Sequence, residues 1–340
     1  MSILIKENIS LKKLNTFGID AKTKFYAELN KDTEALEILH DSKYSSLPKF
    51  PLGGGSNVLF THDYEGIILR LISKGINIIE DDSETALVEA ESGEIWDDLV
   101  TYCVNNSLYG VENLTLIPGT VGAAPIQNIG AYGTELKDVF DSLTGVSMVN
   151  GEEKSFSNEQ CRFGYRDSIF KHELKNNFLI TKVRLRLSKQ KKFNLNYRAF
   201  QDYLKKEDHD KITLKEVNNL VKRIRQSKLP DPMKIGNAGS FFKNPEIGKK
   251  KFAELKKRFS DLVFFKVEND NYKIPAGWLI EKCGFKGKKI GNVGTYKNQA
   301  LVIVNFGDAK GEEVQNFAFK IQHAVFEKFG IEIIPEVNIL

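Results

Sequence analysis

The chain has 340 residues, enough for two or three domains at about 150 residues each. It carries 49 Lys and Arg against 45 Asp and Glu, a formal net charge of +4, with 41% hydrophobic and 28% charged residues. This composition excludes a disordered or collagen-like chain, and the small, dispersed positive charge gives no argument for nucleic acid.

The targeting and redox signals are those expected of a cytoplasmic protein. Cys103, Cys161 and Cys283 lack CxxC spacing and predict no disulfide framework, which favours a reducing compartment. Residues 1–13 mix charged and apolar side chains, so no secretory signal is expected. Residues 113–134 carry no charge over a length that could span a bilayer, but their prolines and glycines predict a buried irregular loop.

Several common sites have no sequence signature in this chain. No GxGxxG follows a strand, and no GxxxxGK[ST] is present, so neither a Rossmann dinucleotide site nor a P-loop is predicted. The five histidines form no HExxH or other paired spacing, so no metal site is expected. No serine occupies a GxSxG turn, and no internal repeat is visible.

Short strands and helices are mixed through the first half of the chain. Residues 25–29 predict a strand, and residues 32–40 predict a helix capped by Asp32. Residues 87–90 predict another strand, and residues 94–106 a helix with one apolar face. Apolar and basic residues alternate over 183–187, which is typical of a half-buried strand.

The next helix has the clearest start signal of the sequence. Thr213 and Glu216 have the spacing of a capping box, and apolar residues then recur with helical period. Two prolines within 229–232 predict the end of this helix and a domain boundary.

The last predicted elements lie at the C-terminal end. Residues 312–329 predict a helix, and Gly330 is expected to cap its C-terminus. Residues 331–334 predict a strand that Pro335 ends. The order of elements is an α+β pattern, without the regular alternation of a doubly wound sheet.

Pro51-Leu-Gly-Gly-Gly-Ser-Asn57 is the first motif with a chemical interpretation. Three successive glycines expose backbone N–H groups and permit the close approach of a phosphate. A plain glycine turn between strands explains the same residues equally well.

The second motif, IPGTVGAAPIQNIGAYG, covers residues 117–133. It combines small residues, two prolines and two amide side chains without a charge. A buried loop must satisfy its own backbone polar groups, and ordered irregular loops often carry function. A planar, uncharged ring system could lie against such a surface, and the alternative is a purely structural loop.

The third motif, CRFGYRDS, covers residues 161–168 and concentrates arginine, of which the chain has only nine. Arg162 and Arg166 lie four residues apart beside a glycine and two aromatic residues. A guanidinium among aromatic residues suits a carboxylate or a developing enolate, although a surface ion-pair cluster has the same spacing.

The fourth motif covers residues 228–245 and sets Ser240 after a tight turn. Lys228, Lys243 and Asn244 are candidate ligands of a diphosphate. The alternative is an ordinary turn with a capping serine, which is the most common use of serine.

Two further sequence features are, by themselves, weak evidence for a function. Pro335-Glu336-Val337 contains a glutamate that, alone, is most simply a solvated side chain. Basic runs at 249–251 and 256–258 flank apolar residues and predict the wet face of a helix rather than a nucleic-acid site.

Together these motifs resemble the UDP-N-acetylenolpyruvoylglucosamine reductase family, also called UDP-N-acetylmuramate dehydrogenase. The resemblance covers almost the whole chain, and the strings at 118–133 and 236–245 are its most specific parts. The matching segments, in chain order, are 15–18, 53–57, 117–133, 162–168, 236–245, 276–280 and 335–337. Residues 194–197 resemble the tyrosine loop of the type I branch.

The resemblance implies the fold class and the domains. The implied fold is α+β, with a two-lobed FAD-binding region of the vanillyl-alcohol-oxidase (PCMH) type plus a smaller α+β substrate-binding domain. FAD held non-covalently on glycine loops would explain the missing Rossmann fingerprint. The implied parts are an FAD-binding lobe over 1–72, a second lobe over 73–229 with the tyrosine loop near 194–200, a substrate-binding domain over 230–330, and a C-terminal segment over 331–340 with the catalytic glutamate.

The family implies NADPH-dependent, FAD-mediated reduction of UDP-N-acetylglucosamine enolpyruvate to UDP-N-acetylmuramate, a step of peptidoglycan and cell-wall synthesis that serves cell shape and division. In the implied ping-pong cycle, NADPH reduces FAD and leaves, and the sugar nucleotide then takes the same site. A cytoplasmic monomer with small-molecule substrates, and with no nucleic-acid or membrane partner, is expected.

The resemblance also implies three catalytic residues. Hydride addition to C3 gives an enolate-like dianion, and Arg166 is the candidate that stabilises it because its guanidinium stays charged. Ser240 matches the family's proton donor to C2, and Glu336 matches the third catalytic residue. A bare carboxylate would repel the dianion, so Glu336 is expected to be protonated or masked by Arg166.

Two sets of binding residues follow from the same resemblance. The cofactor set is Gly53, Gly54, Gly55, Ser56, Asn57, Ile117, Pro118, Gly119, Gly122, Ala123, Gln127, Asn128, Gly130, Ala131 and Arg225. The substrate set is Tyr132, Tyr165, Tyr197, Lys228, Asn244 and Gln299. The chain departs from some relatives at Asn338, where they carry Arg, which leaves a flavin contact at that position open.

Three other functions agree less well with the sequence. A flavin oxidase of the same fold, acting on an alcohol or sugar with O2, is disfavoured by the Ser240 and Glu336 motifs. A non-catalytic protein that binds flavin or a sugar nucleotide is disfavoured by the joint presence of Arg166, Ser240 and Glu336. An RNA-binding protein is suggested only by a pI of about 8.6, without an RRM or KH motif.

Overall fold

The structure, a computed structural model, describes residues 3–195, 200, 211–267 and 269–340. The chain divides into two compact units, each assembled from segments that are distant in sequence. Unit 1 consists of the segment that ends at Ile9, Thr23–Gly55 and Tyr64–Arg225. Unit 2 consists of Ser10–Lys22, Ser56–Asp63 and Gln226–Leu340.

The described strands, in chain order, are β1 (Ile5–Ser10), β2 (Lys22–Leu29), β3 (Lys49–Pro51), β4 (Val58–Leu59), β5 (Tyr64–Leu71), β6 (Ile76–Asp81), β7 (Thr85–Glu91), β8 (Gly130–Ala131), β9 (Thr134–Glu135), β10 (Phe140–Ser147), β11 (Glu153–Ser157), β12 (Phe178–Ser188), β13 (Gly236–Ser240), β14 (Glu246–Ile247), β15 (Phe265–Lys266), β16 (Tyr272–Lys273), β17 (Lys289–Ile290), β18 (Val293–Tyr296), β19 (Gln299–Asn305) and β20 (Asn338–Ile339). The described α-helices are α1 (Asp32–His40), α2 (Trp96–Asn105), α3 (Leu214–Lys228), α4 (Lys249–Arg258), α5 (Ala276–Lys282) and α6 (Gly311–Phe329).

The described part of unit 1 contains two sheets and a short hairpin. The first sheet has the order β1-β2-β5-β3, in which β5 runs parallel to both β2 and β3. The second has the order β11-β10-β12-β7-β6 and its pairs are antiparallel. β12 shows the expected alternation, since Val183, Leu185 and Leu187 are fully buried. Trp96 and Leu99 of α2 belong to the same apolar cluster, which covers that face of the second sheet.

Unit 2 is also α+β. Its largest sheet is antiparallel with the order β13-β19-β18-β17, and a small sheet has the order β14-β16-β15. β20 pairs in parallel with β4, so the end of the chain returns to residues 57–61. Helix α6 buries Val314, Phe317 and Ile321, the apolar stripe expected from the sequence.

The predicted strands over 25–29, 87–90 and 183–187 are confirmed within β2, β7 and β12. The helix predicted over 94–106 is confirmed in shorter form as Trp96–Asn105. The helix predicted over 32–40 is confirmed, but Asp32 is its first residue rather than its cap. Lys31 takes the N-cap position, because its backbone is still extended, with a φ of −141°. The Glu34 carboxylate accepts hydrogen bonds from the backbone N–H groups of Asn30 and Lys31, at 2.6 and 3.4 Å.

The capping box at the start of α3 is confirmed, because Thr213 and Glu216 each accept a hydrogen bond from the other residue. The Glu216 carboxylate accepts hydrogen bonds from the N–H and the hydroxyl of Thr213, both at 2.7 Å, and the Thr213 hydroxyl accepts from the Glu216 N–H at 3.3 Å. The helix ends at Lys228, directly before the proline-rich breaker.

The strand predicted over 331–334 is wrong. Ile331 and Ile333 are buried while Ile334 is 63% exposed, so the alternation that suggested a strand is real. Among the described residues, however, this backbone makes only isolated contacts, such as the hydrogen bond from the Lys243 N–H to the Ile334 carbonyl at 2.9 Å. Gly330 caps α6 as predicted, in the left-handed conformation with φ 60°.

The uncharged stretch 113–134 is an irregular loop, as predicted. It contains the short 3₁₀ turns Val121–Ala123 and Pro125–Gln127, and Val121 is fully buried. Within the described part of the chain, no helix is long and apolar enough to cross a membrane.

Candidate active site

In unit 1, Gly53 and Gly54 of the first glycine motif lie directly against residues 119–123 of the second motif. A Cβ atom added to Gly54 would lie 2.9 Å from the Gly119 Cα atom. A Cβ added to Gly53 would lie 2.7 Å from the Thr120 Oγ1 atom and 2.9 Å from the Ala123 Cβ atom. These distances are shorter than van der Waals contact, so the contact between the motifs requires glycine on the 53–54 side.

Ser92 contacts the second motif, the loop over residues 117–133, at Gly122. The Gly122 N–H donates to the Ser92 carbonyl at 3.0 Å, and a Cβ on Gly122 would overlap the Ser92 hydroxyl at 1.5 Å. A cavity of about 60 Å³ lies beneath the contact, lined by Gly53, Thr120 and Ala123 together with apolar side chains.

The backbone donors of these loops fit a phosphate or a heterocycle. Among the described residues, the N–H groups of Gly53, Gly54 and Gly119 have no acceptor in the protein, and all three residues are partly exposed. Gly119 has a φ of 123°, which glycine adopts without strain. Unpaired backbone donors on adjacent glycine loops form an anion-binding surface, so these residues fit FAD.

Arg225 adds a partly buried cation to unit 1. Its Nη2 donates to the Leu116 carbonyl at 3.3 Å, while its buried Nε has no hydrogen-bond partner among the described residues. Burial lowers the pKa of Arg225, and the nearby Arg166 lowers it further, whereas Tyr132 and Asp97 raise it. A buried donor without an acceptor is costly, so an oxygen atom of a ligand would stabilise this side chain.

Arg166 lies at the tip of a two-residue hairpin in unit 1. The N–H and carbonyl groups of Gly164 and Asp167 form reciprocal hydrogen bonds, at 3.0 and 3.2 Å. Tyr165 and Arg166 form the turn, and Arg166 has a φ of 52°, which a side chain rarely adopts. The Arg166 guanidinium donates to the Gly130 carbonyl and lies 5.5 Å from the Tyr165 ring centroid.

Tyr132 lies on a second tight turn of unit 1. Tyr132 and Gly133 connect β8 and β9, with φ values of 51° and 83°. The Asn113 side chain donates to the Tyr132 carbonyl at 3.3 Å and to the Asn194 carbonyl at 2.8 Å. The Tyr132 ring lies 5.6 Å from that of Phe200. The turn is thus anchored to residues on both sides of Tyr197, which itself lies outside the described residues.

The remaining cofactor candidates occupy the same loop of unit 1. Ile117 and Pro118 precede the glycine contact, Gln127 ends a 3₁₀ turn, and Ala131 lies in β8. Asn128 is fully buried and its amide is engaged inside the chain, where it donates to the Gly164 carbonyl at 3.0 Å.

In unit 2, Ser240 is presented by a β-bulge. β13 pairs with β19 at Asn237–Val304 and again at Ser240–Val302, so β13 has one extra residue between these pairs. The extra residue is accommodated at Gly239, whose φ is 68° and whose N–H donates to the Asn237 side chain at 2.9 Å. Bulges of this kind redirect side chains, often at active sites. Ser240 is half-buried, and its hydroxyl has no hydrogen-bond partner among the described residues.

The segment 15–18 holds the start of this strand. The Thr16 hydroxyl donates to the Asn237 carbonyl at 2.6 Å, and the Asn237 N–H donates to the Thr16 carbonyl at 3.0 Å. A Cβ on Gly236 would lie 2.2 Å from the Phe17 carbonyl oxygen. This segment therefore supports the Ser240 strand and has a structural role in unit 2.

Glu336 lies beside the Ser240 strand. Its N–H donates to the Phe241 carbonyl at 2.8 Å, and its carbonyl accepts from the Asn57 side chain at 3.2 Å. The Asn338 N–H and side chain both donate to the Asn57 carbonyl, at 3.1 and 3.2 Å. Unit 2 thus brings Ser240, Glu336 and Asn57 together, and sequence reasoning did not foresee the clamp between Asn57 and Asn338.

The other predicted binding residues of unit 2 surround helix α5. The Asn244 side chain accepts from the Ala276 N–H at 2.9 Å, and a Cβ on Gly277 would lie 2.9 Å from the Gln299 Oε1 atom. The preceding turn approaches the end of α3, because the Asn298 side chain donates to the Ser227 carbonyl at 3.3 Å, next to the exposed Lys228. Ser56 begins the segment of unit 2 that carries Asn57, whereas Gly53, Gly54 and Gly55 belong to unit 1.

Two family models match separate parts of the chain. The sequence model described as "FAD binding domain" matches residues 23–156. The model described as "UDP-N-acetylenolpyruvoylglucosamine reductase, C-terminal domain" matches residues 231–340. The expected α+β fold class, an FAD-binding region plus a smaller α+β C-terminal domain, is confirmed.

Full-length relatives carry the same name. The chain is 47% identical over 337 residues to the UDP-N-acetylenolpyruvoylglucosamine reductase of Flavobacterium johnsoniae, covering 99% of both chains, and 46% identical over 339 residues to that of Pseudomonas aeruginosa, covering 100% of both. A crystal structure of UDP-N-acetylenolpyruvylglucosamine reductase from Thermus caldophilus has a similar fold, with a TM-score of 0.70 at 20% identity over 99% of each chain. The chain belongs to the UDP-N-acetylenolpyruvoylglucosamine reductase family of FAD-dependent oxidoreductases.

Proposed function

We propose that the chain reduces UDP-N-acetylglucosamine enolpyruvate to UDP-N-acetylmuramate, in peptidoglycan precursor synthesis, with NADPH as the hydride source. Membership of the reductase family supports the reaction. The observation that carries the proposal is the bulge in unit 2, which presents the Ser240 hydroxyl beside the segment of Glu336. A hydroxyl without a protein partner is suited to give its proton to a substrate.

FAD, when bound, stores the hydride between oxidation of NADPH and reduction of the sugar nucleotide. The residues proposed to hold it are the glycine pair of unit 1, the 117–131 loop and Arg225. Their unpaired backbone donors and the buried Nε of Arg225 support this assignment. We propose a ping-pong order in which NADPH and the sugar nucleotide use the substrate site in turn.

Each proposed catalytic residue has one task. Arg166 stabilises the negative charge that develops on the enolpyruvyl carboxylate and C2. Ser240 donates its proton to C2 from one face, which fixes the stereochemistry. Glu336 assists this protonation and stays neutral or paired with a cation, because a free carboxylate would oppose the dianion.

The proposed substrate contacts divide by the chemistry they recognise. Tyr132, Tyr165 and Tyr197 are proposed to contact the sugar nucleotide. Lys228, with Asn244 and Gln299 near α5, is proposed to bind the diphosphate, which a cation and amide donors recognise.

We also propose which parts of the chain bind the cofactor and which bind the substrate. Residues 1–72 and 73–229 are assigned to FAD binding, 230–330 to substrate binding and 331–340 to the segment with the catalytic glutamate. We also propose a cytoplasmic monomer whose partners are small molecules.

An anaerobic flavin titration tests the reaction. Protein loaded with FAD is mixed with NADPH, and the visible flavin band should bleach. Addition of the UDP-enolpyruvyl sugar should restore the band. Bleaching without recovery would exclude this substrate, and rapid reoxidation by O2 instead would favour an oxidase of the same fold. A protein that does not take up FAD would remove the basis of the proposal.

Ser240→Ala then tests the division of labour. Flavin reduction by NADPH should stay within about twofold, whereas reoxidation by the sugar nucleotide should slow by about 10²-fold or more. Ser73→Ala is a matched control, because it removes another hydroxyl that has no hydrogen-bond partner among the described residues. Slowed flavin reduction in Ser240→Ala would contradict the role of Ser240 as proton donor.

A further inference from the structure

The hairpin that carries Arg166 depends on local geometry that is unfavourable by itself. Arg166 has a φ of 52°, a left-handed conformation that costs a non-glycine residue free energy. Its two backbone hydrogen bonds, between Gly164 and Asp167, close a turn of only two residues. Such a turn keeps one geometry only if neighbouring residues hold it.

Asn128 holds the hairpin on its buried side. Asn128 has no exposed surface, and its side-chain amide donates to the Gly164 carbonyl and to the Glu135 carboxylate, both at 3.0 Å. Its side-chain oxygen accepts from the Lys137 N–H, also at 3.0 Å. Every polar atom of this side chain is engaged, so the Gly164 end of the hairpin has a fixed support.

The Asp167 end of the hairpin is held by His172. The His172 Nε2 atom lies 2.9 Å from both carboxylate oxygens of Asp167, so Nε2 carries the proton and donates to the carboxylate. The side chains are partly exposed, at 62% for His172 and 37% for Asp167. His172 itself follows the short 3₁₀ turn Ile169–Lys171, whose Ile169 N–H donates to the Cys161 carbonyl at 3.0 Å. The hydrogen bond between Asp167 and His172 therefore connects the hairpin to a turn that is held by the buried residues Ile169 and Cys161.

We propose that Asp167 and His172 are positioning residues for Arg166. Their hydrogen bond keeps the turn in the left-handed geometry that orients the guanidinium, and it keeps the Asp167 carboxylate directed toward His172 rather than toward the adjacent arginine. This inference rests on the proposed role of Arg166 in stabilising the substrate dianion. A change in the pair should then affect the half-reaction in which that charge develops.

The test measures the two half-reactions by stopped flow in Asp167→Ala, His172→Ala and the double variant. Each single variant should slow flavin reoxidation by the sugar nucleotide about threefold to tenfold, with flavin reduction by NADPH within about twofold. The double variant should be no slower than the slower single variant, because both changes break one interaction. His172→Gln should restore most of the rate, since its amide N–H can donate to Asp167.

Glu152→Gln is the matched control, because it removes another exposed ion pair of unit 1, with Lys154 at 3.1 Å and exposures of 58% and 52%. It should leave both half-reactions unchanged. Unchanged reoxidation in the variants, additive losses, or no rescue by His172→Gln would overturn the inference. If wild-type protein itself is not reoxidised by the sugar nucleotide, the proposed function fails instead, and the two failures are distinct.

Discussion

The contact between the two glycine motifs predicts the effect of a single methyl group. Gly54→Ala would bring a Cβ atom to 2.9 Å from the Gly119 Cα atom and 3.4 Å from its carbonyl carbon. Both are backbone atoms, so no side chain can rotate away. Gly54 does not have a left-handed φ. The substitution therefore tests close approach alone, without backbone strain.

The size of the effect follows from the overlap. The two backbones must separate by several tenths of an ångström to reach ordinary contact, and a methyl group forced into a packed site costs about 1–3 kcal/mol. If the geometry of this contact sets the FAD-binding surface, the affinity for FAD should fall about 5- to 150-fold, because 1.4 kcal/mol corresponds to tenfold.

The assay is titration of the apoprotein with FAD, followed by quenching of flavin fluorescence, together with thermal unfolding with and without FAD. Gly248→Ala is the control, because Gly248 has a φ of −73° and a Cβ there would meet only the Asn271 Oδ1 atom, at 3.9 Å. It should leave the affinity for FAD unchanged. Because Gly248 is the N-cap of α4, where glycine is favoured over alanine, any fall in melting temperature should be the same with and without FAD. An unchanged FAD affinity in Gly54→Ala, with or without a loss of stability, would refute the assignment of the glycine contact to cofactor binding.

Three further predictions concern other residues. Glu336→Gln should keep flavin reduction within about twofold and slow reoxidation by the sugar nucleotide at least about tenfold in stopped flow, and near-normal reoxidation would exclude its catalytic role. Burial raises the pKa of Glu112 in the folded protein above its value in the unfolded chain, so the folded state holds this proton more tightly. The stability linked to the neutral Glu112 carboxyl group is complete below the pKa of the unfolded chain. It is lost as pH rises through the pKa of the folded protein. Glu112→Gln should therefore raise the melting temperature at pH 7 but not near pH 3, and an equal gain at both would contradict this sign. Burial raises the pKa of Cys103 and Cys161 to about 12, so iodoacetamide at pH 8 should label the half-exposed Cys283 first, as read by peptide mass spectrometry; equal labelling of all three in native protein would disagree.

Resemblance of sequence motifs was sufficient to propose which residues form the site. It was not sufficient to say how they are held. The bulge at Gly239 and the clamp between Asn57 and Asn338 depend on pairing between distant segments. The hairpin of Arg166 is closed locally, but Asn128 contacts it from 36 residues away. The resemblance assigns Asn128 to cofactor binding, which stays a prediction, and the structure adds that both polar atoms of its side chain are hydrogen-bonded within the chain.

The local features of this protein follow from its amino-acid sequence alone. The Thr213 capping box, the apolar stripe of α6 and the alternation over 183–187 appear as predicted, because they depend on neighbours within one or two turns or along one strand. The features that join remote segments depend on how the whole chain folds. Residues 331–334 alternate like a strand but are not one, since a strand needs a partner along its length. In the same way, the glycines at 53 and 54 are necessary because of Gly119 and Thr120, which chain folding brings against them.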